Sequence, residues 1–334
     1  MILINFPRTV AYPYSKRLMK ISAKKYLYAF LLVWPFHGYS QIAAADSLPV
    51  KSAQPLFKKE EVQNIRFKNY FLLLGDDFKQ QALAPFRLTG SEWLKVGDFA
   101  LITTATILSD EPINHSINDF RNHSVLVQKV SPVVTRFGGK YELGTLGAIE
   151  AYGLIFKNEK LKTTTILATQ AYLISGIWVN AIKFISGRER PSYYDPKDGE
   201  NEGAWHGPFF QFHKNNLGFK PDGSEYSSFA SGHATVAFAV ATVFAKQYSE
   251  YPIVPIISYS AATLVSLSRM TENKHWASDV LVGAAIGYFS GRQVVRNYRK
   301  FAHAGLIRKK QGVVKFDLGY NHGLLMPGLT YTFR

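Results

Sequence analysis

Three short groups of residues carry the side chains that chemistry would need: Lys183 with Arg190-Pro191, Ser231-Gly232-His233, and Ser268-Arg269 with His275 and Asp279. In the third group, the i, i+4 spacing of His275 and Asp279 predicts that both project from one face of a helix running on to Phe289. A carboxylate so placed can fix the orientation and tautomer of the imidazole, and an oriented imidazole is a competent nucleophile. Arg269, at the end of the preceding helix, adds a cation. The same His–Asp pair also fits a plain capping contact on a surface helix.

In the first group Lys183 closes a long helix that Gly187 breaks, leaving Arg188 and Arg190 in a loop ended by Pro191. An arginine fork can grip two oxygens of a phosphate while a lysine acts as a point charge, which suits a phosphoryl transition state with spread negative charge. A solvated basic loop would have the same composition. In the second group Ser231-Gly232 precedes an apolar helix, so Ser231 can cap it while free backbone N–H groups point outward, where anions bind. Gly232 lets backbone approach a ligand, and His233 in the first turn could deliver a proton to a leaving oxygen. The alternative is an ordinary N-cap with an exposed histidine.

These groups sit at the ends of apolar segments of helical length: Leu143 to Phe156, Thr163 to Ile185, His233 to Tyr248, Ile253 to Leu267 and Ala277 to Phe289. An all-α helical bundle over residues 141–300 is the expected core. Residues 46–140 read as an N-terminal helical extension with no identifiable chemistry. In 301–334 a basic linker leads to alternating apolar residues around Asn321-His322-Gly323, which predicts a short C-terminal β-hairpin. Two strands cannot form a barrel, so the hairpin is expected to cover the bundle. His206 and His213 fall in a long loop rich in Gly, Phe and Asn, read as a connection between helices.

The 334 residues contain no cysteine, which removes disulfides, thiolate nucleophiles and cysteine-ligated zinc. Residues 1–45 read as a signal peptide: Lys20, Lys24 and Lys25 precede the apolar run Tyr26 to Phe36 and the small residues Ala43 to Ala45. Met19 could open such a signal by itself. Loss of this segment removes six basic residues and no acidic ones, so the formal charge falls from +15 to +9. That sign suits anionic substrates or a membrane surface; without a basic stripe and aromatic platforms it gives no reason to expect nucleic acid.

Taken together, the three groups resemble the signature of the type 2 phosphatidic acid phosphatase (PAP2) and vanadium-dependent haloperoxidase superfamily, K-x6-RP, PSGH and SR-x5-H-x3-D. The chain reads Lys183-x6-Arg190-Pro191, Ala230-Ser231-Gly232-His233 and Ser268-Arg269-x5-His275-x3-Asp279. Ten positions match in order, where each would match by chance about once in twenty. Ala230 replaces the family's proline, removing a fixed φ but no chemical group. The resemblance implies phosphate ester hydrolysis with neither cofactor nor metal. Lys183, Arg190, Ser231, Gly232 and Arg269 would hold the phosphate, His275 would attack phosphorus, Asp279 would steady His275, and His233 would protonate the leaving oxygen. It leaves open a haloperoxidase-like oxidation with vanadate, or a non-catalytic module for anionic lipids. The substrate is expected to be a phosphorylated small molecule or a lipid phosphate.

The sequence points both ways on the membrane. Lys157, Lys160 and Lys162, with Arg292, Arg296 and Arg299, place positive charge opposite the catalytic helix ends, and Gly283, Gly287 and Gly291 permit close helix packing. Against this stand short apolar runs, the polar residues Glu150, Gln170 and Asn180, and a mean hydropathy of −0.06. The preferred reading is a soluble or peripheral enzyme of the bacterial periplasm, the alternative an inner-membrane bundle with a periplasm-facing site.

Overall fold

The computed structural model of the protein describes residues 67–193, 203–210, 225–310, 313–321 and 324–332. The expected signal segment, the linker after it, and His213 lie outside the described residues. The described chain is mostly helical: α1 (Phe67–Leu83), α2 (Gly90–Leu108), α3 (Asp110–Asn122), α4 (Val125–Val134), α5 (Lys140–Ile155), α6 (Glu159–Ser186), α7 (Gly232–Gln247), α8 (Ile253–Thr271) and α9 (Ala277–Lys310). Past α9, Val313–Asn321 (β1) and Leu324–Thr332 (β2) pair antiparallel, Val313 opposite Thr332.

Sequence patterning explains the long helices. Asn158 starts α6 by accepting from the Leu161 N–H at 3.0 Å, and Gly187 ends it in the left-handed region at φ 55°, a conformation that costs glycine little. Between those ends Leu167, Ala168, Ala171, Ile174 and Val179 recur at helical spacing, and all are buried. Helix α7 is alanine-rich and buried on most sides, so it forms the centre against which α6, α8 and α9 pack. Leu146 of α5, Leu167 and Ile174 of α6, Val243 of α7 and Val294 and Tyr298 of α9 make the main core cluster.

The glycine stripe of α9 lies directly on α7. A Cβ at Gly283 would sit 2.6 Å from the Ser231 carbonyl oxygen, at Gly287 2.1 Å from that of Thr235, and at Gly291 2.5 Å from that of Ala239. The stripe thus brings two helix backbones into contact, and with them the N-termini that carry Ser231 and Asp279. At the far end, buried Asp77 of α1 accepts hydrogen bonds from Gln170 of α6 and Asn297 of α9. Gln170, which had read as an interruption in an apolar helix, therefore faces inward, its Nε2 donating to the Asp77 carboxylate.

Outward faces are apolar. Leu173 and Ile177 on α6, Ile253, Ile256, Ile257 and Leu264 on α8, and Trp93, Leu94, Leu101 and Ile102 on α2 are all exposed. Helices α6 and α8 are long and apolar enough to cross a membrane, and only 44% and 33% of their most apolar windows are buried in the bundle.

Gly287→Val should therefore lower the melting temperature sharply, because its side chain meets backbone that cannot yield, at a cost of about 1–3 kcal/mol or more. Gly75→Ala, at a site with open space around it, should leave the temperature unchanged or raise it, worth up to ~1 kcal/mol. Equal responses in a thermal melt of the two variants would contradict the packing described.

Candidate active site

Four helix ends meet at one end of the bundle: the C-termini of α6 and α8 and the N-termini of α7 and α9. Lys183, in the last turn of α6, donates to the Ser227 carbonyl oxygen, and Arg190 donates through Nη2 to the Ser227 hydroxyl at 3.1 Å. The strand-like loop holding Arg190 is tied down by its own backbone. Ser228 N–H donates to the Arg188 carbonyl at 2.9 Å, and Arg190 N–H to that of Glu225 at 2.9 Å.

Ser231 caps α7 as its sequence predicts, and its own N–H donates to the Asp279 carbonyl at 2.9 Å, so the starts of α7 and α9 are joined. A Cβ on Gly232 would lie 3.7 Å from Lys183 Cε, which puts the lysine stem beside the α7 N-terminus. His233 occupies the first turn of α7. Its ring packs on Gly139, where a Cβ would come within 3.1 Å of Nε2. Arg269, in the last turn of α8, is anchored by donating through Nη1 to Thr135 Oγ1 at 2.7 Å.

His275 departs from its expected position in one respect: α9 starts at Ala277, so the histidine lies in the turn before the helix, not on it. The contact with Asp279 survives because the turn folds back. His275 Nδ1 lies 3.5 Å from Asp279 Oδ2, longer than a formed hydrogen bond, and both side chains are buried. With Nδ1 directed at the carboxylate, Nε2 lies on the opposite edge of the ring. Asp279 Oδ2 also accepts from the Trp276 N–H at 2.9 Å and from the Ser228 hydroxyl.

Arg188 does not join Lys183, Arg190 and Arg269, as its place beside Arg190 suggested. Its guanidinium turns inward, donating through Nη1 to Asp279 Oδ1 at 2.7 Å and through Nη2 to Asp110 Oδ2 at 2.7 Å. The rings of Trp205 and Trp276 flank it, with centroids 4.7 and 5.4 Å from Cζ. Asp110, Thr135, Gly139 and Ser228 were all missed by sequence reasoning. His206 stacks on Phe210, with ring centroids 4.2 Å apart.

Lys183, Arg190 and Arg269 are close enough to act on one another electrostatically, and all three act on His233. Burial, then the positive charges of Lys183 and Arg190, hold the His275 imidazole well below the usual histidine range, against the opposing pull of Asp279. A neutral imidazole is the nucleophilic form. Such a site can receive a tetrahedral oxyanion, attack it with His275 Nε2, and hand a proton to or from it through His233.

Residues 164–302 match the family model of the PAP2 superfamily. A lipid A 1-phosphatase of Porphyromonas gingivalis is 45% identical over 73 residues, which are 22% of this chain and 16% of that protein. The match thus spans about a sixth of the relative's length. The crystal structure of Aquifex aeolicus LpxE aligns with a TM-score of 0.40 at 23% identity, covering 56% of this chain and 94% of that one. That of a transmembrane PAP2-type phosphatidylglycerolphosphate phosphatase from Bacillus subtilis gives 0.37 at 18%, covering 71% and 98%.

Tungstate, a tetrahedral oxyanion that cannot be hydrolysed, should bind with one ion per chain. Lys183→Met, Arg190→Met and Arg269→Met should each weaken it by roughly 10- to 100-fold, the loss of one charge-assisted contact. Titration calorimetry showing unchanged affinity in all three variants would contradict the convergence of these cations.

Proposed function

We propose that this chain, a member of the PAP2 superfamily through residues 164–302, is a metal-independent phosphatase that hydrolyses a lipid-borne phosphate or diphosphate through a phosphohistidine on His275. The observation that carries the reading is the meeting of all three signature groups at one end of the bundle, with the buried imidazole of His275 backed by Asp279. Oxygens of the phosphate bind Lys183, Arg190, Arg269 and the free N–H groups at the start of α7. His275 Nε2 attacks phosphorus, the bond to the leaving oxygen breaks, and His233 supplies the proton that oxygen takes up. Burial, and after it the charges of Arg269, Lys183 and Arg190, disfavour the protonated form of His233, and the negative substrate offsets those charges. Water then attacks phosphorus, gives its proton to His233, and releases phosphate with neutral His275 restored. The three fixed cations supply the charge stabilisation for which other phosphatases use Mg²⁺.

The apolar outer faces of α2, α6 and α8 favour a bundle embedded in the inner membrane over the soluble or peripheral enzyme preferred from sequence. From Lys162 to Lys183, α6 rises about 30 Å, the thickness of a bilayer's hydrocarbon core. The basic residues Lys157, Lys160, Lys162, Arg292 and Arg296 then lie at the end opposite the site, the expected cytoplasmic side. The site faces the periplasm, where a lipid headgroup reaches it. The curated relative's named substrate, the 1-phosphate of lipid A, belongs to this class. The terminal strand pair is assigned a covering role and no part in the chemistry.

The protein should resist alkaline extraction from envelopes. Purified in detergent, it should release phosphate from lipid A or phosphatidic acid faster than from nucleotides or sugar phosphates, and excess EDTA should not slow it. His275→Ala should reduce release by at least about 1,000-fold. Equal rates in wild type and variant would refute the phosphohistidine, and halide oxidation with added vanadate but no phosphate release would favour the haloperoxidase alternative. The acid limb of kcat/KM should fall below pH ~6.5, since His275 stays neutral there. A limb well above that value would mean that another group titrates.

A further inference from the structure

Arg188 is a single guanidinium serving two carboxylates. It is 2% exposed, and its partners Asp279 and Asp110 are equally enclosed. Asp110 opens α3, outside the region that matches the family model, 78 residues from Arg188 and 168 from Ser278 in sequence. Asp110 Oδ1 accepts from the Ser278 N–H at 2.9 Å, and Oδ2 accepts from Arg188 and from the Ser278 hydroxyl. Ser278 Oγ in turn accepts from Arg188 Nη1 at 2.7 Å. Burial pushes the Asp110 carboxyl up, yet every contact to its two oxygens comes from a donor, which only the ionised form can receive throughout.

The charge count of this cluster has a chemical consequence. One guanidinium with one carboxylate would be neutral; with two, the buried cluster carries a net charge of about −1. When His275 Nε2 bonds to phosphorus, the imidazole becomes cationic, and that charge develops beside Asp279, 3.5 Å from Nδ1. If Asp279 alone neutralised Arg188, little negative charge would remain to meet it.

We infer that Asp110 is a positioning residue for the reaction, the second carboxylate on Arg188, which leaves the negative charge of Asp279 available to the imidazolium of His275. The inference deepens the proposed phosphatase reading and rests on it. It also gives the N-terminal segment a definite task, since Asp110 belongs to a part of the chain in which the sequence offered no chemistry.

The test uses the full-length protein in detergent micelles with dioctanoyl phosphatidic acid, comparing wild type, Asp110→Asn and the double variant Asp110→Asn/Arg188→Gln. The single substitution keeps the size of the side chain but sets the cluster to neutral; the double variant returns it to one negative charge. Asp110→Asn should lower kcat by about 10- to 100-fold with KM changed less than about threefold. The double variant should recover about tenfold over the single one, which a purely structural role for Asp110 would not allow, because two losses of packing would add. The inference is overturned if Asp110→Asn turns over within twofold of wild type, or if the double variant is folded yet no faster than the single. Should Asp110→Asn fail to fold, the double variant decides: a loss below about 100-fold from wild type supports the inference, and a folded protein slower than that overturns it. Orthovanadate affinity is measured on the same three proteins. If wild type releases no phosphate from any substrate, the phosphatase reading fails by itself. Vanadate then decides the inference: weakening of about tenfold in Asp110→Asn with recovery in the double variant supports it, and equal affinity or no binding overturns it.

Discussion

A guanidinium shut away from water must find its counter-charges within hydrogen-bonding distance, because an unpaired buried ion costs several kcal/mol or more. Arg188 meets that demand by drawing together three parts of the chain: the loop after α6, the first turn of α9 with Ser278 and Asp279, and the N-terminus of α3 with Asp110. Two indole rings seal the cluster. Much of the site's geometry follows. Asp279, fixed by Arg188 on one oxygen and by Ser228 and the Trp276 N–H on the other, has little freedom left, and His275 is oriented against a carboxylate that cannot turn away.

The second constraint is distance between backbones. Ser231 and Asp279 belong to different helices, and the hydrogen bond from the Ser231 N–H to the Asp279 carbonyl requires α7 and α9 to start almost in contact. Three glycines on α9 and the small residues of α7 permit this approach along the whole crossing. Any side chain at Gly287 would separate the helices and so pull Ser231 and Gly232 at the start of α7 from His275 and Asp279 at the entrance of α9. Stability and the geometry of the proposed site are set by the same stripe.

Legibility in the sequence followed the range of the interaction. The five core helices were visible because a buried face repeats every three to four residues; α6 and α7 begin and end within a few positions of the expected bounds. The signature residues were visible because a few side chains at fixed short spacings can be recognised without knowing the fold. Asp110, Thr135 and Gly139 were invisible for the opposite reason. Their partners are 78 to 168 residues away for Asp110 and 134 for Thr135, and no local period encodes such a contact. His275 was misplaced by two residues relative to α9 because an i, i+4 spacing is equally compatible with a helix and with the turn that precedes one.

Arg188 and Arg190 show why residue type alone could not divide the labour. Both are arginines in one loop, two positions apart, and from sequence both could face a phosphate. Adjacent side chains in an extended loop point to opposite sides, but residues two apart point to the same side, so alternation would have placed the two guanidiniums together. The two guanidiniums nevertheless part: Arg188 is paired in extended backbone with Trp205, while Arg190 stands where the chain enters the turn at Pro191. Arg190 donates to the Ser227 hydroxyl, whose residue also accepts from Lys183 through its carbonyl. Arg188 is matched to carboxylates, so its charge is spent inside the protein, and what it offers the reaction is a fixed position for Asp279. In the proposed reaction one loop thus supplies both a group for the substrate and a group for the nucleophile's support, and the difference lies in which residues each guanidinium meets.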